Sequence, residues 1–395
     1  MSSERLRAWC WTRQGLDGSC HGDSVAAILG KAGWMRSIGG GGPYIGLFAR
    51  AGLQRAQVDA AVARLAIHEL PSARGCTYVL PAEHFALGLR LGQGFGEAAQ
   101  IATARKYLGF TEAEQEGLCT EVLAALAEGP LDPRGLKERL GEAVRNLGTE
   151  GKKRGQTTTL PLALGWLHSR GDIRRIPLDG RLDRQRYAYV RWCPNPLAPF
   201  PRSDAEIRAE LARLYFHWAG PASLAQFQAF SGLGVKDSKA AVADLDLVAD
   251  GEQLWLPEDK RAFDHFEVPA SPQVQCLAGT DGLFLHRRDA AACLDGADAT
   301  RAFWTETGSQ AGGALVDLPH QAIVDRGRII GLWDYDGEAG ELVWTTFAPP
   351  SEATQARVTE VERFIRDDLG DFRTFSLDSP ESRRPRIAAL RAMRS

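Results

Sequence analysis

The sequence predicts an α+β protein in which a unit of three helices plus a β-hairpin recurs in tandem, followed by a small C-terminal β-barrel-like domain. Three observations carry this prediction. Residues 111–192 show helical periodicity three times and then a strand, turn and strand. The same order recurs, less sharply, on either side. After Pro257 the pattern changes to short strands separated by Asp-Arg-Gly and Asp-Gly turns.

The clearest unit begins at 111. TEAEQEGLCTEVLAALAE (111–128) opens with a Thr N-cap and an acidic first turn, then places Leu118, Val122, Leu123 and Leu126 on one helical face. GPLDP (129–133) ends that helix. RGLKERLGEAVRN (134–146) predicts a second, LGTEGKKRGQ a polar loop, and TTLPLALGWLHSR (158–170) a third, with Pro161 in its tolerant first turn. Ile173–Leu178 and Arg186–Trp192 flank Asp179-Gly180 as a hairpin. Three helices and a hairpin in this order make a winged helix, whose third helix is expected in a DNA major groove with the hairpin along the backbone.

At the N-terminus, Glu4–Gln14 and Ser24–Lys31 predict helices, the second capped by Asp23 or Ser24. A Gly-rich loop (39–42) leads into the next helix, then come another helix and a hairpin ending in RGCTYVLP. Residues 203–257 give three helices and a hairpin turning at Asp250-Gly251, but this stretch is acidic, which suits scaffolding better than phosphate contact. The expected divisions are 1–110 (first winged helix with a helical linker), 111–200 (second, basic), 201–257 (third), 258–378 (β-rich, with a closing helix) and 379–395 (a frayed basic tail).

Composition narrows the functional classes. The chain has 395 residues with 44% hydrophobic and 25% charged content, which suits a soluble globular protein. No apolar run is long enough for a membrane span and the N-terminus lacks a secretory core. Seven scattered cysteines form no CxxC pair, so no zinc knuckle or disulfide framework is expected, and the cytoplasm is the natural compartment. The histidines show no HxxxH or HxH spacing and no GxSxG is present. No metal, other cofactor or serine-hydrolase elbow is expected. Net charge is -3, yet residues 152–191 hold ten Lys/Arg against three Asp. A positive face on a near-neutral chain suits a phosphate partner.

The residues expected to touch double-stranded DNA are Lys152, Lys153 and Arg154 before the third helix, Thr157 and Thr158 at its start, and Arg174, Arg175, Arg181, Arg184 and Arg186 on the wing. Arg36, beside Gly39–Gly42, could meet a phosphate where backbone comes close. Replacing Lys152 and Lys153 by Ala is expected to reduce the salt dependence of binding by about two in slope. Trp34, Trp166, Trp192 and Trp218 fall at positions where core burial is the default.

Several segments resemble the AlkZ-like DNA glycosylases, also described as winged-helix DNA-binding-domain proteins. They are RGCTYVLPAEHF (74–85), GPYIGLFARAG (42–52), SLAQFQAFSGL (223–233) and IVDRGRIIGLW (323–333), in order along most of the chain. The resemblance implies tandem winged helices, a C-terminal β-domain, and a monomer that binds double-stranded DNA carrying alkylated or bulky lesions. It also implies hydrolysis of the N-glycosidic bond by an activated water. The family's Gln-x-Gln or Gln-x-Asp motif, which positions that water, falls here on Arg36 and Ile38, neither of which can act as a base. Gln226-Phe227-Gln228 and Gln273-Val274-Gln275 have the letters in other places. Asp17, Asp23 and Glu69, with His21 nearby, are the weak catalytic candidates, against readings as a turn, a cap and a strand residue. The alternatives are a catalytically silent DNA-binding protein, either a regulator or an adduct sensor, and a protein-interaction scaffold.

Overall fold

The computed structural model describes residues 3–393. In chain order, α1 (Ser3–Arg13), α2 (Val25–Ala32), the two-residue strand β1 (Met35–Arg36), α3 (Gly42–Ala51) and α4 (Arg55–Ala63) lead to the hairpin β2 (Ile67–Pro71) and β3 (Thr77–Pro81). Next come α5 (Phe85–Gly92), α6 (Glu97–Tyr107), α7 (Glu112–Ala125), α8 (Pro133–Leu140), α9 (Gly148–Lys153), α10 (Leu160–Ser169) and the hairpin β4 (Ile173–Pro177) and β5 (Tyr187–Arg191). They are followed by α11 (Asp204–Ala219), α12 (Leu224–Ser231), α13 (Val235–Val242), the hairpin β6 (Val248–Asp250) and β7 (Gln253–Trp255), and α14 (Pro257–Asp264). The chain ends with β8 (Val274–Leu277), α15 (Gly282–Leu285), β9 (Ala302–Thr305), β10 (Gly308–Ala311), β11 (Gln321–Asp325), β12 (Arg328–Asp336), β13 (Glu341–Thr346), α16 (Glu352–Arg363) and α17 (Pro380–Ala392). Two compact units result: Met1–His68 with Val79–Ala82 and Asp204–Ser395, and Glu69–Tyr78 with Glu83–Ser203.

One plan occurs three times. A helix is followed by a short extended stretch, two further helices (three in the second copy, where α9 intervenes) and a hairpin, and the extended stretch pairs with the second hairpin strand. In the first copy β1 lies beside β3 in the order β1-β3-β2. In the second, Leu131 bridges Tyr189 of β5; in the third, Ala222 bridges Leu254 of β7. Local sequence explains the helix ends of the second copy. Thr111 caps α7 by accepting from the Glu114 N–H, and Asp132 caps α8 through the Gly135 N–H at 2.7 Å. The α8 helix stops at Gly141, whose φ of +53° only glycine adopts easily. Its core joins Leu118 and Val122 of α7, Leu136 of α8, Leu160, Leu164 and Leu167 of α10, and Ile173 of β4.

Four expectations change. The polar stretch at 147–156 contains the helix α9. The second helix ends at Leu140 instead of reaching 146. The expected barrel is a four-stranded antiparallel sheet, β13-β12-β11-β8, with edges at β13 and β8, and β9–β10 form a separate hairpin. The expected frayed tail is the helix α17, capped by Ser379, with Ile387 and Leu390 in the core of the sheet-bearing unit. Its arginines explain why a basic segment can be buried. Arg383, fully buried, binds both Asp371 oxygens at 2.9 Å and the Phe372 carbonyl. Arg386 pairs with Asp334 and Asp378. Buried guanidinium groups are tolerated when carboxylates and carbonyls satisfy their donors.

Candidate nucleic-acid interface

The α9 helix carries the first basic group. Lys152, Lys153 and Arg154 are all exposed, but they differ in their partners. Glu150, a turn earlier, takes Lys153 at 2.7 Å and Arg154 at 2.8 Å. Hydrogen bonds from Lys153 and then Arg154 hold the Glu150 carboxyl below its usual range. Among the described residues Lys152 has no carboxylate partner. Arg154 also lies 4.7 Å from the ring of Tyr107, with Lys106 at 5.0 Å from the same ring. Tyr107 is half exposed at the end of α6, so an aromatic face sits among cations. Sequence reasoning missed this pair; the available signal was a Lys-Tyr dipeptide closing a basic helix.

The β4–β5 hairpin carries the second group. Arg174 pairs in register with Val190 and Arg175 with Tyr189, so the two arginines point to opposite faces. Burial lowers the Arg174 guanidinium pKa from its ordinary value. Arg175 lies 5.7 Å from the ring of Tyr187, whose hydroxyl donates to Glu69 at 3.0 Å. Burial, with the adjacent Glu69 carboxylate, pushes the Tyr187 hydroxyl pKa well up. In the connecting loop Arg181 is folded back onto Asp183, at 2.5 and 2.8 Å, with both side chains about nine-tenths buried. Arg181 is therefore already neutralised. Arg184 and Arg186 are exposed and have no carboxylate partner among the described residues.

The α10 helix does not have the surface expected of a groove reader. Its sequence, LPLALGWLHS, packs on α7 through Leu160, Leu164 and Leu167, while Leu162 packs with Ile101, Ala104 and Phe110 along and beyond α6. Trp166 is its one large exposed side chain. A helix buried on two sides, with no charged residue, cannot place donors and acceptors on base edges, so its expected entry into a major groove is withdrawn. Beside α10 lies a cleft of about 630 Å³. Its apolar wall includes Leu89, Phe95, Leu160 and Leu164, and its polar lining includes Thr157, Thr158, Lys137 and Arg175. Thr157 and Thr158 thus face this cleft.

In the first copy, Arg36 lies half-buried on β1. The glycine run does not offer backbone to a phosphate. Gly41 N–H donates to the Arg373 carbonyl at 2.8 Å, and Ser376 N–H donates to the Ile38 carbonyl at 3.0 Å. A Cβ on Gly40 would lie 2.3 Å from the carbonyl oxygens of Arg373 and Thr374; one on Gly41 would meet the Phe372 ring. The glycines are there because the 372–376 segment comes this close. The expectation of a phosphate at Gly39–Gly42 is corrected accordingly.

The weak catalytic candidates are not brought together. Asp17 accepts from the Ser19 N–H in a turn. Ser24, not Asp23, caps α2. Glu69 holds Tyr187. Gln226 completes a capping box with Ser223 while Phe227 is core, and Gln275 is buried on β8. Trp34 and Trp218 pack in the core with ring centroids 5.2 Å apart and planes tilted by 55°, and Trp192 packs on Phe85. A second buried polar cluster was not foreseen. Arg50 makes a two-bond pair with Asp281 at 2.8 and 2.9 Å and also holds the Gln14 backbone and side chain. Burial raises the Asp281 pKa, but Arg50 outweighs it and leaves the carboxyl below its ordinary value. Next to it, burial lowers His286 to about 4. Arg50, Gln14, Asp281 and His286 are all buried, so the cluster ties the end of α1 and α3 to the start of α15.

No helix among the described residues is long and apolar enough to cross a membrane, and no cluster of metal-ligating side chains is present among them. No curated protein matches the chain in sequence. In fold it is similar to the Streptomyces sahachiroi DNA glycosylase AlkZ, with a TM-score of 0.67 at 19% identity, over 94% of this chain and 97% of that one. The family model of AlkZ-like DNA glycosylases matches residues 36–366, and the chain belongs to that family.

Proposed function

We propose that this protein binds double-stranded DNA through its phosphates, and that the thrice-repeated plan is a set of three winged helices of which the second is the gripping one. The observation that carries the reading is the set of exposed cations without carboxylate partners, Lys152, Arg184 and Arg186, on a module that also bears Lys153, Arg154, Arg174 and Arg175. Such groups release counterions from DNA and give affinity that falls with salt. Contact runs along the backbone through α9 and the hairpin, since α10 has no polar face. Titrating a labelled duplex at stepped salt concentrations tests this. Binding that weakens steeply with salt is expected; salt-independent binding, or none, would refute it.

Base excision is the second reading, favoured by family membership over 36–366. A water oxygen would bond to C1′ as the bond from C1′ to the base nitrogen breaks, with a protein group taking the water's proton. Arg36 and Ile38 cannot do this, and Ile38 is tied by its carbonyl to Ser376. Asp17, Asp23 and Glu69 are the remaining candidates. Incubation with duplexes carrying N7-methylguanine or N3-methyladenine and chromatography of freed base decides it. Release abolished by Asp17→Asn, Asp23→Asn or Glu69→Gln would establish an enzyme. Tight binding with no release would leave a silent DNA-binding protein that could serve as a regulator or adduct sensor.

A further inference from the structure

We infer that the cleft beside α10 takes one unpaired nucleotide of a DNA strand, with its base against the apolar wall and its phosphate at the cationic lining. The inference rests on the DNA-binding reading above and adds a ligand to it. Size comes first. A cavity of about 630 Å³ suits a ligand of drug or nucleotide size, whereas a duplex presents a major groove about 12 Å wide to an inserted helix and cannot enter. The wall is next. Leu160 and Leu164 of α10, Leu89 of α5 and the ring of Phe95 give a planar base an apolar surface. Phe95 is 42% exposed, and its side chain lies so close over Gly75 that a Cβ there would be 2.5 Å away. A fixed, exposed ring beside an apolar cavity is a stacking surface.

Charge then selects an anion. Arg134, Lys137 and Arg175 line the cleft against Glu97 as the one lining carboxylate. Glu97 accepts from the Gly94 N–H at 3.0 Å and keeps its charge, and Arg134 is held by Glu138, so Lys137 and Arg175 leave the lining net positive by one. Lys137 and Arg175 remain for the ligand, and the Arg175 Nε is buried with no hydrogen-bond partner among the described residues. As cations on the cleft lining, Lys137 and Arg175 can each donate to a phosphate oxygen. Thr157 and Thr158 add hydroxyls that can donate or accept at the edges of a base or sugar.

The test uses the full chain and two labelled DNAs of the same sequence, one fully paired and one with 2-aminopurine in a single-nucleotide bulge. The bulged DNA should bind about tenfold tighter, with the fluorescence of its 2-aminopurine quenched. Pro161→Trp, at an exposed position on the cleft rim, should remove that preference and leave affinity for the paired duplex unchanged. Lys137→Ala should lower the preference severalfold. Equal affinity for the two DNAs, or a preference that survives both substitutions, overturns the inference while the duplex reading stands. Failure to bind either DNA overturns both.

Discussion

The partners of the cations in α9 and the β4–β5 hairpin allow the salt dependence of DNA binding to be divided residue by residue. Lys152, Arg184 and Arg186 have no carboxylate partner among the described residues, so each can neutralise a phosphate at full charge. Each such contact contributes about 0.9 to the slope of log K against log salt on duplex DNA. Replacing all three with Ala should flatten the slope by about 2.7; between 50 and 200 mM salt the unmodified protein then loses ~40-fold more affinity than the variant. Lys153 and Arg154 are different, because both are shared with Glu150. The double replacement of Lys152 and Lys153 should therefore flatten the slope by closer to one than the two expected from sequence. Glu150→Gln should act in the opposite sense, freeing two cations, tightening binding and steepening the slope by up to about 1.8. Fluorescence anisotropy at four or five salt concentrations measures all of these. A slope that Glu150→Gln leaves unchanged, together with no flattening in the triple variant, would show that α9 and the hairpin do not face the DNA.

Other measurements probe the buried groups. Burial lowers both His286 and His320 to about 4, and both are almost fully enclosed. Between their unfolded value near 6.5 and 4, the unfolded chain binds more protons, so stability falls as pH drops through that window. The loss is about 1.4 kcal/mol per pH unit for each histidine, or about 4 kcal/mol for the two at pH 5. Urea unfolding at pH 7 and pH 5 checks it, and an unchanged midpoint would contradict neutral burial. Arg50→Met leaves the buried Asp281 carboxylate without its partner and should cost about 3–5 kcal/mol, most of it recovered in Arg50→Met with Asp281→Leu. If the double variant is no more stable than the single one, the pair is not the reason. Gly40→Ala forces a Cβ onto the Arg373 and Thr374 carbonyls and should destabilise by about 1–3 kcal/mol, with faster proteolysis between residues 370 and 379. Wild-type resistance there would mean the two segments can separate freely.

Helices, hairpins and their caps were legible because they depend on neighbours in sequence. Thr111 and Ser223 each cap a helix through an N–H three residues away, and the Leu118–Leu126 face follows from a 3.6-residue period; Asp132, read only as part of a helix-ending turn, caps the next helix by the same kind of bond. The same local order made the recurrence of helices and hairpin readable. Periodicity failed where the deciding contacts are distant. Arg383 and Arg386 look like a solvated basic tail until Asp371, Asp334 and Asp378 are found beside them. Gly39–Gly42 look like an open phosphate loop until residues 372–376 are found against them.

The sequence by itself determined where the helices and hairpins lie, and that residues 152–191 concentrate ten Lys/Arg against three Asp. Only the tertiary structure decided which charges are available. It commits Arg181 to Asp183, shares Lys153 and Arg154 with Glu150, and leaves Lys152, Arg184 and Arg186 exposed. It also turned an apparent recognition helix into the wall of a cleft. The physical reason is common to all of these: a side chain's charge is fixed by its chemistry, but whether that charge meets solvent or a carboxylate depends on which residues the fold brings next to it.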